Sequence, residues 1–243
     1  MRISFSGTSN TGKTTLLKNF LSVWSQYTTP VKTYRDVLVE DDHKHSSQTT
    51  TETQTKILNF MIDELQKTSK GDKIVFDRCP LDNLAYSLWA HANNIEGFDK
   101  AYIDNAITLT RESLRHLDII FLLRYDPSIP IVDDGMRDTN IQYIQEVDNI
   151  FGALKAQFDQ NYDSDVFFPK NDSPGLIELP TSMQRRIDII GEYVTPTGDL
   201  YGEEDSILNP NNLDTLEQLV KQQKAALEQE EKEKELFKKF GLH

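Results

Sequence analysis

The sequence predicts an α/β fold in which helices cover both faces of a parallel β-sheet. Short apolar segments alternate along the chain with longer amphipathic ones, which is typical of strands joined by helical crossovers. The first unit is a predicted strand, a glycine-bounded turn and a helix. Residues 118–123 are apolar almost throughout, as expected of a parallel strand that is buried on both faces. The 243 residues suffice for one such domain with additions.

The first predicted strand is residues 2–6, where Ile3 and Phe5 alternate with polar neighbours. The helix after it, residues 13–24, carries an apolar stripe at 3.6-residue spacing. Periodicity and turn residues predict the other elements of the body: strands at 31–39, 73–76, 166–168 and 176–179, a polar loop at 41–53, and helices at 55–67, 80–91, 99–115, 140–158 and 182–193.

Beyond the body, residues 196–212 predict a linker, because they combine proline, glycine and acidic side chains. Residues 213–243 are rich in Lys, Glu and Gln with sparse Leu, which predicts a charged, exposed C-terminal helix. We therefore expect a main domain at residues 1–195, followed by a linker and a helical tail.

The chain is acidic, with 26 Lys and Arg against 39 Asp and Glu, a net charge of −13. Residues 206–243 carry only −1 of this charge, so the body is strongly acidic and disfavours nonspecific binding to nucleic acid. No apolar run approaches the roughly 20 residues that a membrane helix needs, and the first residues are too short and polar for a signal peptide. The single cysteine, Cys79, excludes an internal disulfide framework and a multi-cysteine zinc site. We expect a cytoplasmic protein.

The strongest motif is Gly-Thr-Ser-Asn-Thr-Gly-Lys-Thr at residues 7–14, which fits the P-loop pattern GxxxxGK[ST] at every fixed position. In this pattern the glycines let backbone N–H groups turn towards phosphate oxygens, Lys13 supplies a charge for the β- and γ-phosphates, and the Thr14 hydroxyl reaches Mg²⁺. The sequence therefore predicts a site for ATP and Mg²⁺. The candidate nucleotide-binding residues are Gly7, Asn10, Thr11, Gly12, Lys13, Thr14 and Thr15.

Two further observations bear on how the nucleotide is used. The guanine-reading pattern NKxD is absent, which argues against a GTPase. The predicted strand 73–76 ends in Asp77-Arg78, whereas an ATP-driven motor would usually place Asp-Glu there, with the Glu activating water. Arg78 stands where that Glu would activate water, which favours phosphoryl transfer to a bound acceptor over hydrolysis.

Residues 77–86, Asp-Arg-Cys-Pro-Leu-Asp-Asn-Leu-Ala-Tyr, resemble the DR-x-x-x-S-x-x-AY stretch of thymidylate kinases and related deoxynucleoside kinases. Together with the P-loop, Gln54 and Asp-Gly-Met-Arg at 134–137, they resemble small P-loop kinases that include nicotinamide riboside kinase-like and phage-encoded nucleotide kinase-like domains. The resemblance covers residues 1–195. The chain departs from thymidylate kinases at Arg35-Asp36, where the family has Arg-Glu-Pro.

The resemblance implies that Asp77 lies near Mg²⁺ and the acceptor hydroxyl, and that Arg78 holds the acceptor or the transferring phosphoryl group. A carboxylate and a guanidinium at the carboxyl end of a strand also lie where doubly wound folds bind ligands. Arg35 and Asp36 are candidates for contacting the acceptor. The metal candidates are Thr14 and Asp77.

Kinases of this type close a lid over the phosphates and bring in an arginine that neutralises charge in the transition state. Residues 126–140, rich in Pro and Gly, are the candidate lid, and Arg137 is its candidate catalytic arginine. Arg124, which follows the buried strand, competes for this role. His43 and His45 lie in a polar loop without a third ligand, and Cys79 is expected to be a small buried neighbour of Arg78.

The leading expectation is an ATP–Mg²⁺-dependent kinase whose acceptor is a nucleoside, a nucleotide or a related small molecule. Two alternatives stay open: a kinase acting on a modified base such as 5-hydroxymethyluracil within DNA, and a non-kinase ATP-dependent interaction protein. A homodimer is possible. If the chain is phage-encoded, its compartment is the host cytoplasm.

Overall fold

The computed structural model describes residues 1–40, 49–131, 139–160 and 166–201. The predicted C-terminal helix, residues 202–212 of the linker, residues 132–138 of the candidate lid with Arg137, and His43 and His45 lie outside the described residues.

Four parallel strands form the sheet within the described residues: β1 (Arg2–Ser6), β2 (Ile74–Asp77), β3 (Ile119–Leu123) and β4 (Gly175–Leu179). Their order across the sheet is β2-β1-β3-β4, so the chain passes over β1 between β2 and β3. Ligands of such sheets bind at the carboxyl ends of the strands, near the point where the strand order reverses. Phe5 of β1 pairs in register with Asp77 of β2, which places the ends of these two strands side by side at that edge.

The helices lie between and after these strands: α1 (Lys13–Val23), α2 (Tyr34–Glu40), α3 (Thr51–Gln66), α4 (Pro80–Ala92), α5 (Lys100–Ser113), α6 (Ile141–Gln160) and α7 (Met183–Tyr193). A 3₁₀ turn, Leu114–His116, follows α5. This architecture confirms the predicted α/β fold with a parallel sheet. No helix among the described residues combines the length and the apolar character that crossing a membrane requires.

Both faces of the sheet are buried. On one face, the ring of Phe5 packs at 5.5 Å from that of Phe20 of α1 and at 6.0 Å from that of Phe121 of β3. On the other face, Ile120 and Leu122 join a core with side chains of α4 and α6. Because the β1 strand is covered on both sides, its polar residues are buried as well as its apolar ones.

Residues 31–39 do not form the predicted strand, and α2 begins at Tyr34 instead. Tyr34 and Leu38 stand four residues apart, and both pack with Ile57 and Met61 of α3. The sequence is rich in β-branched residues, but this i, i+4 pair is better buried on a helix than on a strand. Next to the edge strand β2, an isolated parallel bridge joins Thr28 to Ile74.

Two other boundaries differ from the prediction. Residues 166–168 form a turn rather than a strand, with the ring of Phe168 packed at 5.0 Å from that of Phe158. Helix α3 begins at Thr51 rather than at residue 55, because the Thr50 hydroxyl caps it by accepting a hydrogen bond of 3.2 Å from the Thr53 N–H.

The chain divides into two compact units. The first comprises residues 1–191 with Pro196–Gly198 and holds the whole sheet. In the second, the described residues are 192–195 and 199–201, where Val194 and Leu200 form an antiparallel bridge. The predicted division at residue 195 stays a prediction.

Candidate active site

The P-loop joins β1 to α1 through three residues with left-handed backbones. Gly7 has φ +134°, and a Cβ atom on it would lie 2.1 Å from the carbonyl oxygen of Leu123, so only glycine fits there. Asn10 and Gly12 have φ values of +59° and +83°, and Gly12 is the N-cap of α1. The loop therefore opens directly onto the N-terminus of a helix, where N–H groups and the helix dipole favour phosphate.

The Lys13 side chain folds back over this loop and is only 6% exposed. Its Nζ donates hydrogen bonds to the carbonyl oxygens of Gly7, at 2.8 Å, and of Thr8, and to Thr11 Oγ1 at 3.1 Å. These contacts hold a positive charge at the centre of the loop.

Asp77, the last residue of β2, is half-buried next to the P-loop. Thr14 Oγ1 donates to Asp77 Oδ2 at 3.4 Å, so the loop threonine and the strand-end carboxylate lie together. A hydroxyl and a carboxylate are oxygen ligands of the kind that Mg²⁺ prefers, and Mg²⁺ in phosphate sites usually takes only one or two protein ligands. The donor set fits that ion. The described residues contain no cluster of three or more His, Cys, Asp or Glu side chains that could hold a metal alone.

Arg78 follows with φ +82°, an uncommon conformation for a residue with a side chain. Its N–H donates to Phe5 O at 3.1 Å, and its NH1 donates to Gly7 O and to Asp82 Oδ1, both at 2.9 Å. The guanidinium lies between two aromatic rings, 5.3 Å from the centroid of Tyr34 and 5.4 Å from that of Tyr86. Burial lowers the pKa of Arg78, but Tyr86, Tyr34 and the nearby carboxylates outweigh burial, so this pKa is raised well above its ordinary value and the charge is permanent.

Asp82 is a residue that the sequence analysis missed. Its side chain is 1% exposed, and its Oδ1 accepts from the Gly7 N–H at 3.0 Å in addition to Arg78. Its Oδ2 accepts from the Cys79 N–H at 3.1 Å, which forms half of a capping box at the start of α4. One carboxylate thus ties the P-loop, the strand-end arginine and the first turn of α4 together. The sequence signal was an acid three residues after a helix N-cap, with a proline between them.

A single cavity of about 120 Å³ lies along this arrangement. The P-loop lines one side of it, and helices α2, α3 and α4 line the other, with Asp77 and Arg78 between them. The predicted site residues that line the cavity are Asn10, Thr11, Gly12, Lys13, Thr14, Thr15, Arg35, Asp77 and Arg78. The remaining described candidates, Gly7 and Asp36, do not line it.

Arg35 reaches the cavity from α2 rather than from the end of a strand. Its Nε donates to the Tyr34 hydroxyl at 3.3 Å, and its pKa is raised because Tyr34 and Asp77 outweigh the opposing effect of burial. Asp36 is exposed, and its Oδ2 accepts from the N–H and the hydroxyl of Thr33 at 2.6 and 3.0 Å. The Asp36 carboxylate is bound at the start of α2, and its contact with an acceptor stays a prediction.

Two side chains on the side of the cavity opposite the P-loop were not predicted as site residues, although both belong to stretches that the sequence analysis mentioned. Gln54 of α3 and Asn83 of α4 line the cavity and are 6% and 2% exposed. Asn83 Nδ2 donates to the backbone oxygen and to Oε1 of Gln54, at 2.9 and 2.5 Å. No local sequence pattern predicts this contact, because the two residues are 29 positions apart in the chain.

Arg186 of α7 binds the backbone of the P-loop, and the sequence analysis did not identify it. The side chain is 2% exposed, its NH1 donates to Thr11 O at 2.9 Å, and its Nε donates to Pro180 O at 2.6 Å. Burial lowers the pKa of Arg186, and no carboxylate among the described residues pairs with it. The contact fixes the peptide that leads into Gly12.

Arg124 is the second candidate for the lid arginine. Its Nε and NH2 donate to Asp148 Oδ2 of α6 at 3.0 and 2.8 Å, and its NH1 lies 3.6 Å from Glu178 of β4. It does not line the cavity. The two carboxylates hold Arg124 against the body, and the choice between Arg124 and Arg137 as the lid arginine stays a prediction.

Cys79 lies behind Arg78 and is 1% exposed. Its Sγ is 3.3 Å from Ser6 Oγ. Burial, together with the charge of Asp82, raises the pKa of the Cys79 thiol to about 12, so the thiol stays protonated and unreactive at neutral pH.

The sheet order and the glycine-rich loop define an α/β P-loop domain. A family model described as an AAA domain matches residues 2–163, and the chain belongs to this AAA-domain family. No protein with curated annotation matches the sequence significantly.

Solved structures with the same fold include the deoxyadenosine kinase from M. mycoides with products dCMP and a flexible dCDP bound. It aligns at a TM-score of 0.56 and 16% identity, over 78% of this chain and 96% of that chain. The same kinase with bound dATP aligns at 0.53 and 18% identity, again over 78% and 96%. The NadR protein in complex with NR aligns at 0.55 and 16% identity over 79% of this chain and 51% of NadR, so this chain spans about half the length of NadR.

Proposed function

We propose that this protein is an ATP–Mg²⁺-dependent kinase that transfers the γ-phosphoryl group to a nucleoside, a nucleotide or a closely related small acceptor. One observation carries the proposal. The cavity that begins at the P-loop extends to helices α2, α3 and α4, beyond the residues that would hold the phosphates, and Thr14 and Asp77, which are in contact, both line it. A site for hydrolysis alone would need no such extension.

On the donor side, the N–H groups of the loop and the charge of Lys13 hold the phosphates, while Thr14 and Asp77 would hold Mg²⁺. When bound, Mg²⁺ neutralises negative charge on the phosphate oxygens. Lys13 fixes a second positive charge against the same groups, so that charge which builds up during transfer is offset without rearrangement.

On the acceptor side, the Asp77 carboxylate orients the attacking hydroxyl and accepts its proton. Arg78 is fixed by Gly7 O and Asp82 and presents a permanent charge beside Asp77. Arg35 offers a second guanidinium at the cavity wall. Arg137 is proposed as the lid arginine that stabilises the transferring group.

The solved relatives support the acceptor class. The deoxyadenosine kinase structures hold deoxynucleotides and the NadR structure holds NR, and both proteins share the fold of this chain. The acidic body favours a small acceptor over a base within a DNA strand.

The test is a screen with γ-labelled ATP and Mg²⁺ in which nucleosides, nucleoside monophosphates and DNA containing 5-hydroxymethyluracil compete as acceptors. We expect label to appear in a nucleoside or a nucleotide. Label in the DNA would move the function to the modified-base kinase. Label in no acceptor, with ATP still bound, would favour an ATP-dependent interaction protein.

A further inference from the structure

Arg186 of α7 is a buried arginine that no carboxylate accompanies among the residues that the structure describes. The residue is 2% exposed, and its hydrogen bonds go to two backbone oxygens, Thr11 O at 2.9 Å and Pro180 O at 2.6 Å. Charged side chains are seldom fully buried unless an opposite charge pairs with them. A buried cation that only neutral groups hold is therefore an exception in this fold.

Other arginines of the same fold show the usual arrangement. Three of them lie 2.8–3.1 Å from a carboxylate oxygen: Arg2 from Asp118, Arg78 from Asp82 and Arg124 from Asp148. For Arg186, burial alone lowers the pKa of the guanidinium, with no carboxylate among the described residues to oppose it. The positive charge of Arg186 thus lacks a counter-charge from the described part of the chain.

The hydrogen bond from Arg186 to Thr11 lies directly behind the phosphate loop. In a trans peptide, the C=O and N–H groups point in opposite directions. Because Arg186 binds the oxygen of the Thr11–Gly12 peptide, the N–H of Gly12 points away from Arg186. Gly12 lines the cavity, and its N–H is one of the groups that a P-loop offers to phosphate.

The guanidinium is close enough to this peptide to change its strength as a donor. A Cβ atom on Gly12 would lie 3.1 Å from Arg186 NH1, so the guanidinium packs against the glycine itself. Hydrogen bonds in a chain polarise one another, so a cation that binds the Thr11 oxygen strengthens the Gly12 N–H as a donor. Water screens buried charges only weakly. A phosphate bound at Gly12 would therefore supply the counter-charge that Arg186 lacks.

Resting on the proposed binding of ATP at the P-loop, we propose that Arg186 is a positioning residue for the donor phosphates. It fixes and polarises the Thr11–Gly12 peptide, and the phosphates of bound ATP balance its buried charge. Helix α7 thereby takes part in nucleotide binding, although none of its residues lines the cavity. The site uses the charge of Arg186 in addition to its hydrogen bonds.

The experiment separates the charge of Arg186 from its hydrogen bonds. Arg186→Lys keeps the charge and a donor for Thr11 O, whereas Arg186→Gln keeps a donor and removes the charge. Calorimetry measures the dissociation constant of ATP with Mg²⁺ for each variant. We expect Arg186→Gln to weaken ATP binding by about tenfold or more, the scale of one charge-assisted hydrogen bond, and Arg186→Lys to bind within about threefold of the wild type.

Arg185→Gln is the matched control, because it removes the same charge from an exposed neighbour on the same helix. We expect this variant to bind ATP as the wild type does. Melting temperatures without ATP establish that each variant is folded. Should Arg186→Gln not fold, Arg186→Met replaces it as the neutral variant. Arg186→Lys also tests the proposal by itself, because a loss as large as that expected of Arg186→Gln would overturn it.

The outcomes separate this proposal from the proposed function. If the Lys and Gln variants weaken ATP binding equally, or if neither weakens it, the role of the Arg186 charge is wrong and the kinase stands. If Arg186→Lys keeps the ATP affinity that Arg186→Gln loses, but no acceptor is phosphorylated, the role of Arg186 stands and the kinase is wrong. If the wild type does not bind ATP, both are wrong.

Discussion

The P-loop half of the cavity is lined by consecutive residues 9–15, whereas the opposite half is lined by side chains from α2, α3, α4 and the end of β2. In the loop half, three left-handed residues set the course of the backbone, and the P-loop pattern binds phosphate mainly through backbone N–H groups. In the opposite half, the groups are side chains, and some of their partners lie tens of residues away, such as Gln54 for Asn83 and Thr14 for Asp77.

This contrast separates what is general from what is particular to the chain. Backbone groups read phosphate, which every nucleoside triphosphate carries. Side chains held by long-range hydrogen bonds depend on every partner that holds them, so we expect them to select the acceptor. Asp82 belongs to both halves, because its carboxylate binds the Gly7 N–H and the Arg78 guanidinium.

The largest effect is expected from the loop half. Lys13→Ala removes the charge at the centre of the loop, and we expect kcat/KM for ATP-dependent transfer to fall by about a hundredfold or more while the fold survives. Lys18→Ala, an exposed lysine on the same helix, is the matched control. Steady-state kinetics and circular dichroism measure both outcomes. Turnover near the wild-type rate in Lys13→Ala would contradict the role of the loop.

The next largest effect is expected where the two halves join. Asp82→Ala leaves the buried Arg78 charge and two N–H groups unpaired, and we expect the free energy of unfolding to fall by about 3–5 kcal/mol. Asp104→Ala also removes a carboxylate from an i, i+4 ion pair, but that pair is exposed and should cost less than about 1 kcal/mol. Urea unfolding of the two variants measures the difference. Equal losses would show that Asp82 is not the link between the halves.

The smallest effect concerns the thiol behind Arg78. The pKa of the Cys79 thiol rises from about 8.5 in the unfolded chain to about 12 in the fold. The thiol therefore does not reduce the free energy of unfolding below about pH 8.5, and it reduces that free energy progressively as pH rises towards 12. Unfolding in urea at pH 7 and pH 10 should show a smaller pH-dependent loss in Cys79→Ser than in the wild type. Alkylation of the native thiol at pH 8 should also be slow, and rapid alkylation would contradict the buried position.

The parts of the molecule that the sequence predicted are those coded locally. The P-loop motif, the buried strand β3 and the amphipathic helices each occupy a short stretch with its own pattern, and the parallel α/β fold follows from their order. Helix α2 was mistaken for a strand because burial of Tyr34 and Leu38 against α3 outweighed their β-branched neighbours. Asp82, Arg186 and the Gln54–Asn83 pair stayed out of the predicted site because contacts that are distant in sequence, up to 175 residues, define them.

The central claim is that the two halves of the cavity act together, so that ATP is consumed only when an acceptor is bound. The most direct test measures ADP formation by the full chain with Mg²⁺, first alone and then with the acceptor that the screen identifies. We expect slow consumption of ATP alone and acceleration by orders of magnitude on addition of the acceptor, because positioning and charge neutralisation then coincide. Rapid hydrolysis without an acceptor, and no stimulation by any, would contradict the account.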